Sequence, residues 1–157
     1  MSDLRPGEVT VEPPGAKGAA LYFLGRLRTP WPTRQHCPKR GDPREGPVCR
    51  VEVDAPWRAA LSGLDRYGEL ELLYWMHLAR RDLVLQMPRA STRPYGTFAL
   101  RSPMRPNPIS SSVVALLEVQ AEGLLVRGLD CVDGTPLIDI KPLRCPMWAG
   151  QAGADHR

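Results

Sequence analysis

Two stretches in the second half of the chain set charged and amide side chains among prolines. One is Arg101-Ser102-Pro103-Met104-Arg105-Pro106-Asn107-Pro108-Ile109. The other runs from Leu129 through Asp130-Cys131-Val132-Asp133-Gly134-Thr135-Pro136 to Asp139-Ile140-Lys141-Pro142. Proline fixes φ and removes a backbone donor, so neither stretch suits an ordinary helix or a central strand. Each predicts a stiff loop that aims its polar side chains, and such loops are where binding and chemistry concentrate. A guanidinium forks onto a carboxylate or phosphate. An aspartate accepts from hydroxyls or faces a cation. Taken singly, each residue also has a structural reading. Asp133-Gly134 is a turn signal, Arg101 and Arg105 are ordinary surface charges, and His77 is a core or edge histidine.

The elements that must position these loops read as many short strands. Residues 1–18 lack apolar periodicity and predict a flexible tail. Leu21 to Arg28 predicts a first strand and Val48 to Val53 a second. Thr29 to Pro47 is full of Pro, Arg and Gly and reads as a long functional loop. Pro56 to Leu64 predicts a short helix with Asp54 near its N-cap. Glu69 to His77 is apolar on both faces and reads as a buried strand, with a helix as the alternative. Asp82 to Met87 predicts another strand, and Thr97 to Leu100 leads into the first proline-rich loop. Ser112–Val119 and Leu124–Leu129 flank Gln120-Ala121-Glu122-Gly123, a four-residue hairpin connection. Leu137 to Ile140 follows, and the Gly-rich end predicts fraying. Proline is 17 of 157 residues, well above the usual ~5%. The expected fold is mainly β: a small single-domain β-barrel with short helices and long Pro/Gly-rich loops. The tail covers 1–18, the barrel 19–147, and a second flexible tail 148–157.

Composition narrows the function classes. Apolar residues make up 43%, which argues against a disordered chain. Net charge is +4, compatible with a nucleic-acid partner without demanding one. Arg26 to Arg50 holds seven basic residues and two acids, whereas Glu118 to Asp139 holds five acids and one arginine. The four cysteines, Cys37, Cys49, Cys131 and Cys145, include no C-x-x-C pair. Free thiols and no metal site are therefore expected. Met1 to Lys17 has no apolar core segment, and no apolar run approaches the ~20 residues of a membrane span. A cytoplasmic protein is the expectation.

The two proline-rich loops resemble the signature loops of the TsaA-like (YaeB-like, TrmO) family, tRNA threonylcarbamoyladenosine methyltransferases that use S-adenosylmethionine. There the loops read RSPFRPNPIGLS and LDLVDGTPVLDIKPY. Two further segments are similar: Gly25-Arg26-Leu27-Arg28-Thr29-Pro30-Trp31 followed by Pro38-Lys39-Arg40, against G-x-I-x-S-P-Y then P-R-Q, and Gly63-Leu64-Asp65 through Leu70 to His77. The resemblance covers Phe23 to Pro146. It implies a small β-barrel, generally dimeric. Longer family members carry a C-terminal extension, and this chain stops shortly after the barrel.

The resemblance also implies a cofactor pocket. Its members here are Pro38, Lys39 and Arg40, His77 with Leu78, Arg101, Ser111, and Asp130, Cys131, Val132, Asp133 and Gly134. Arg34, Arg105, Asn107 and Lys141 are candidates for substrate contact. The basic loops around Arg34–Arg40 and Arg80–Arg93 would meet tRNA phosphate, and His36, Trp31 or Tyr95 would stack on a base. Asp133, Asp139 or water would take the proton from the methylated amine. Asp139 and Lys141 equally suit a structural ion pair, and the Trp75 region suits core more than a stacking platform.

The sequence departs from the family pattern at several of these positions. P-R-Q becomes Pro38-Lys39-Arg40, G-L-S becomes Ser110-Ser111-Ser112, S-H-L becomes Gly68-Glu69-Leu70, Leu100 replaces a threonine, and Leu143 replaces a tyrosine. Two other readings stay open beside the tRNA enzyme: methyl transfer to another, small-molecule substrate, and a module that binds S-adenosylmethionine without turnover.

Overall fold

A computed structural model of the chain describes residues 4–15 and 18–144. Cys145, the expected barrel boundary at 147 and the expected tail 148–157 lie outside the described residues, as do 1–3 and 16–17 of the expected N-terminal tail. The described residues form nine strands: β1 (Val9–Thr10), β2 (Gly25–Arg28), β3 (Val48–Val53), β4 (Glu69–Trp75), β5 (Leu83–Gln86), β6 (Tyr95–Gly96), β7 (Ile109–Gln120), β8 (Gly123–Arg127) and β9 (Thr135–Pro142). They divide into two compact units. One holds Trp75–Ser110 with the described residues up to Leu21, and the other holds Tyr22–Tyr74 with the described residues from Ser111 onward.

The second unit contains a closed barrel with strand order β2-β3-β8-β7-β4-β9, as expected. Period-two patterning explains it. On β3, Cys49, Val51 and Val53 are buried and alternate with Val48, Arg50 and Glu52. On β4, Leu70, Leu72 and Tyr74 are buried, whereas Glu69 is exposed and Glu71 half-buried. The helical alternative for this segment is therefore excluded, and so is burial of both its faces. Leu27, Val114, Leu124, Val126 and Leu137 complete the lining.

The hairpin joining β7 and β8 is tighter than its sequence predicts. Gln120 pairs with Gly123, so only Ala121 and Glu122 form the turn. Gly123 joins the ladder because it tolerates φ +154°, a region closed to most side chains. The helix expected at 56–64 is instead two 3-10 turns, Ala55–Leu61 and Leu64–Arg66. Gly63, at φ +85°, breaks the path between them. Neither piece is long enough to offset the cost of nucleating an α-helix. Asp54 holds the N-cap position of the first turn without a side-chain cap bond.

The first unit carries a small sheet ordered β1-β5-β6. Its N-terminal strand corrects the expectation of a featureless tail. Val9 and Thr10 pair with Leu85 and Leu83, and Arg5 Nη1 donates to the Met87 carbonyl at 2.8 Å. Two residues are too few to show periodicity, so the strand left no pattern to read. Thr97–Ala99 is a 3-10 turn.

Gln86 is the hub that stiffens the first proline-rich loop. Its amide nitrogen donates to Thr97 Oγ1 at 2.9 Å and to the Met104 carbonyl at 2.6 Å. Thr97 Oγ1 in turn donates to the Leu83 carbonyl at 2.8 Å. Gln86 is 3% exposed, so losing its amide strands these partners away from water. Gln86→Ala is expected to cost about 1–3 kcal/mol of stability, read as a lower midpoint in urea unfolding.

Candidate cofactor site

The second signature loop is clasped to the chain that leaves β2. Gly134 N–H donates to the Leu27 carbonyl and Asp133 N–H to the Trp31 carbonyl, both at 2.8 Å. Thr29 closes the clasp from the other side. Its hydroxyl donates to the Cys131 carbonyl at 2.8 Å, and its N–H donates to Asp133 Oδ1 at 3.1 Å. Arg26 Nη1 adds a bond to the Gly134 carbonyl at 3.0 Å. Gly134 sits at φ +78°, and a Cβ there would meet only Arg28 Nη1, in ordinary contact at 3.8 Å, so backbone conformation alone calls for glycine there. Asp130 to Gly134 is therefore a pinned loop, whereas the rest of the stretch expected to be a stiff loop, Thr135–Pro142, is the barrel strand β9.

Within this loop the acidic residues have different duties. Asp133 Oδ1 receives the Thr29 N–H, and its Oδ2 lies 3.6 Å from Arg28 Nη1. Both oxygens thus serve the clasp. Asp139, on β9, accepts from the Ile140 N–H at 2.9 Å and pairs with the Lys141 ammonium. The two carboxylates considered as proton acceptors are both engaged within the protein, and Lys141 has Asp139 as its partner. Asp130 differs. Its Oδ1 accepts from the Tyr74 hydroxyl at 2.9 Å and lies 3.5 Å from Ser112 Oγ. Its Oδ2 has no protein partner among the described residues. Next to it, Cys131 is buried, and desolvation pushes its thiol up to about 12. Val132 is half-buried and receives both Thr135 donors on its carbonyl.

Around Arg34–Arg40 the long loop forms one 3-10 turn, Arg34–His36. Thr33 Oγ1 and His36 Nδ1 lie 2.8 Å apart across it. Cys37 is half-buried, and burial, followed by the charge of Asp130, raises its thiol above the ordinary value. Pro38, Lys39 and Arg40 are exposed, and neither cation has a hydrogen bond or ion pair within the described residues. Arg34 is likewise exposed. Ser111 lies half-buried on β7, and Trp31 is half-buried.

The remaining candidates belong to the first unit. His77 and Leu78 leave β4 in an exposed turn, with Leu78 71% exposed, so His77 is not a core residue. Arg101 is exposed, and its guanidinium has no partner among the described residues. Arg105 is committed: its Nη1 donates to the Leu100 carbonyl at 3.0 Å and to the Ser102 carbonyl at 3.2 Å. Asn107 Oδ1 lies 3.5 Å from Arg81 Nη2, while Arg81 Nε donates to the Pro106 carbonyl at 2.7 Å. Arg81 also sits 5.2 Å from the Trp75 ring centroid, and Arg93 lies at the same distance from Tyr95. Arg105 thus staples the loop from within, whereas Arg101 has no such bond among the described residues.

Tyr74 and Ser112 escaped the sequence reading. Their advance signal was parity: Tyr74 shares a strand face with the buried Leu70 and Leu72, and Ser112 with the buried Val114, where a hydroxyl must find a partner. Among the described residues no group of His, Cys, Asp and Glu could hold a metal ion, and no helix is long and apolar enough to cross a membrane.

Comparison with known proteins places this arrangement. The chain is 48% identical over 141 residues to a probable S-adenosyl-L-methionine-binding protein, VirR, of Rhizobium radiobacter, covering 90% of this chain and 80% of that one. It is 29% identical over 147 residues to the tRNA (adenine(37)-N6)-methyltransferase of Mus musculus, covering 85% of this chain and 34% of the mouse protein. The crystal structure of TrmO from Pseudomonas aeruginosa superposes with a TM-score of 0.66 at 32% identity, covering 90% of this chain and 61% of that one. The chain thus spans less than two thirds of the mouse enzyme and of the bacterial TrmO. Residues 26–145 match the tRNA-methyltransferase O N-terminal domain. With both signature loops and the closed barrel in place, the chain belongs to that family.

Proposed function

We propose that the chain is an S-adenosylmethionine-dependent methyltransferase that methylates the exocyclic amine of threonylcarbamoyl-modified adenosine beside the tRNA anticodon. The observation that carries the reading is the family match over residues 26–145, which takes in both signature loops. The name of the mouse relative supports the tRNA substrate. The name of the Rhizobium relative supports the cofactor.

The residues present fit the cofactor chemically. S-adenosylmethionine combines a carboxylate, a sulfonium cation, ribose hydroxyls and an adenine. When bound, it supplies a methyl group already activated for transfer. Arg101 carries an exposed guanidinium without a partner among the described residues, suited to fork onto a carboxylate. Asp130 keeps one oxygen without a partner among the described residues, suited to a ribose hydroxyl or to the positive sulfonium. Gly134 leaves room for close backbone approach. Positioning supplies much of the rate for such a transfer. Asp133 and Asp139 already accept from neighbours, which favours water as the final proton acceptor.

Lys39, Arg40 and Arg34 are free to meet RNA phosphate. A homodimer fits the exposure of Phe98, at 83%, and of Leu78, since large apolar side chains in water commonly mark contact surfaces. The cytoplasm is the compartment in which this substrate would be met.

Titration of the full chain with S-adenosylhomocysteine tests the cofactor assignment, and binding of bulk tRNA across a salt series tests the substrate. The reading predicts saturable cofactor binding and tRNA affinity that falls steeply with salt. Cofactor binding without tRNA binding would instead favour a small-molecule substrate. Absence of cofactor binding would contradict the assignment outright.

A further inference from the structure

Three polar side chains, Tyr74, Ser112 and Asp130, meet inside the barrel unit. Tyr74 is 2% exposed, and its hydroxyl lies 2.9 Å from Asp130 Oδ1 and 2.7 Å from Ser112 Oγ. Phenylalanine would fill the same volume without burying an oxygen, and a buried hydroxyl is costly unless bonded. The Tyr74 hydroxyl donates to the Asp130 carboxylate. Ser112 Oγ lies against the Tyr74 oxygen and also reaches Asp130 Oδ1 as a donor at 3.5 Å. Burial, with the charge of Asp130 adding to it, raises the Tyr74 phenol above its ordinary value, so it remains a donor.

The strand geometry serves the same arrangement. Leu73 pairs with Asp139, but Tyr74 pairs with Leu137, so Ile138 is an extra residue on β9 opposite this step. Bulges re-aim side chains and recur beside functional sites. The result is a short cluster in which Tyr74 and Ser112 both reach one carboxylate oxygen of Asp130, while the other has no partner among the described residues.

We infer that Tyr74 and Ser112 are positioning residues that hold the Asp130 carboxylate in one orientation toward the bound cofactor. The inference rests on the methyltransferase reading above and adds residues which that reading does not assign. It makes Tyr74 act through Asp130 rather than on the ligand. A residue that merely fills the barrel would change stability without changing affinity. A positioning residue changes affinity in a way that depends on its target.

The test is a mutant cycle on the full chain, with S-adenosylhomocysteine as the probe in calorimetry and thermal unfolding measured alongside. Tyr74→Phe keeps the ring and is expected to weaken binding about tenfold, the scale of one charge-assisted bond. Ser112→Ala is expected to weaken it less, in the same direction. In an Asp130→Asn background, Tyr74→Phe should have little further effect, because coupled residues are non-additive. Unchanged affinity in Tyr74→Phe or Ser112→Ala, or full additivity with Asp130→Asn, would overturn the inference alone. Should Tyr74→Phe fail to fold, Ser112→Ala and its cycle with Asp130→Asn decide the matter. A wild-type chain that binds no probe would overturn the cofactor assignment, and this inference with it.

Discussion

Gly123→Ala is expected to destabilise the barrel by roughly 3 kcal/mol or more, from overpacking and backbone strain acting together. Two independent features demand glycine there. Its φ of +154° is rarely adopted by L residues, and an added Cβ would collide with the Val51 carbonyl oxygen on β3. That oxygen is backbone held in the β3–β8 ladder, so it has no flexible side chain to swing aside. The residue also closes a two-residue turn, and a displaced Gly123 would shift the register of β7 against β8. A one-residue slip would turn Leu124 and Val126 outward. Gly68→Ala is the matched control, since a Cβ there meets nothing within 4 Å. Urea unfolding of the two variants should separate them clearly.

Arg101→Ala is expected to weaken S-adenosylhomocysteine binding by about 10- to 100-fold, the scale of a charge-assisted bidentate bond. It should leave thermal stability nearly unchanged, because the Arg101 guanidinium has no partner among the described residues. Arg105→Ala should behave in the opposite way. Arg105 donates to two carbonyls of its own loop, so its loss should loosen that loop and cost about 1–2 kcal/mol. Two arginines four residues apart are thereby assigned different work. Calorimetry and thermal unfolding on the same two proteins distinguish ligand contact from loop support.

That contrast also marks the limit of what residue types convey. The first signature loop and the barrel were legible because proline, glycine and period-two patterning act locally, but the second stretch is only partly loop: Thr135–Pro142 is the barrel strand β9, with Pro136 paired to Arg26 and Pro142 to Leu70. β3 was read to the residue because Val48–Val53 alternates without interruption. β4 was read as a strand, although its apolar run concealed the alternation of Glu69, Leu70, Glu71 and Leu72. β1 could not be read, since it exists only through pairing with β5. Partner choice was equally hidden. Nothing in the spacing of Arg101 and Arg105 says which one folds back on its own carbonyls. Likewise, nothing near Asp139 shows its carboxylate held by Ile140 and Lys141 rather than by a substrate. The Tyr74–Ser112–Asp130 cluster joins three separate parts of the sequence, and only the closed barrel brings them within hydrogen-bonding distance.

The glycine at 134 repeats the lesson in milder form. Its φ of +78° is held by the bonds to Leu27 and Arg26, yet the only atom near an added methyl group would be Arg28 Nη1 at 3.8 Å. The requirement there is conformational, unlike the collision at Gly123. The turn signal in Asp133-Gly134 was therefore a correct structural reading, and it coexists with the loop's proposed role beside a cofactor.

The most direct measurement of the central claim is transfer of labelled methyl from S-adenosylmethionine to tRNA, comparing tRNA that carries the threonylcarbamoyl modification with tRNA that lacks it. Labelling of the modified tRNA alone is expected, lost in step with cofactor affinity in Arg101→Ala. No labelling of either tRNA by protein that binds the cofactor would contradict that claim.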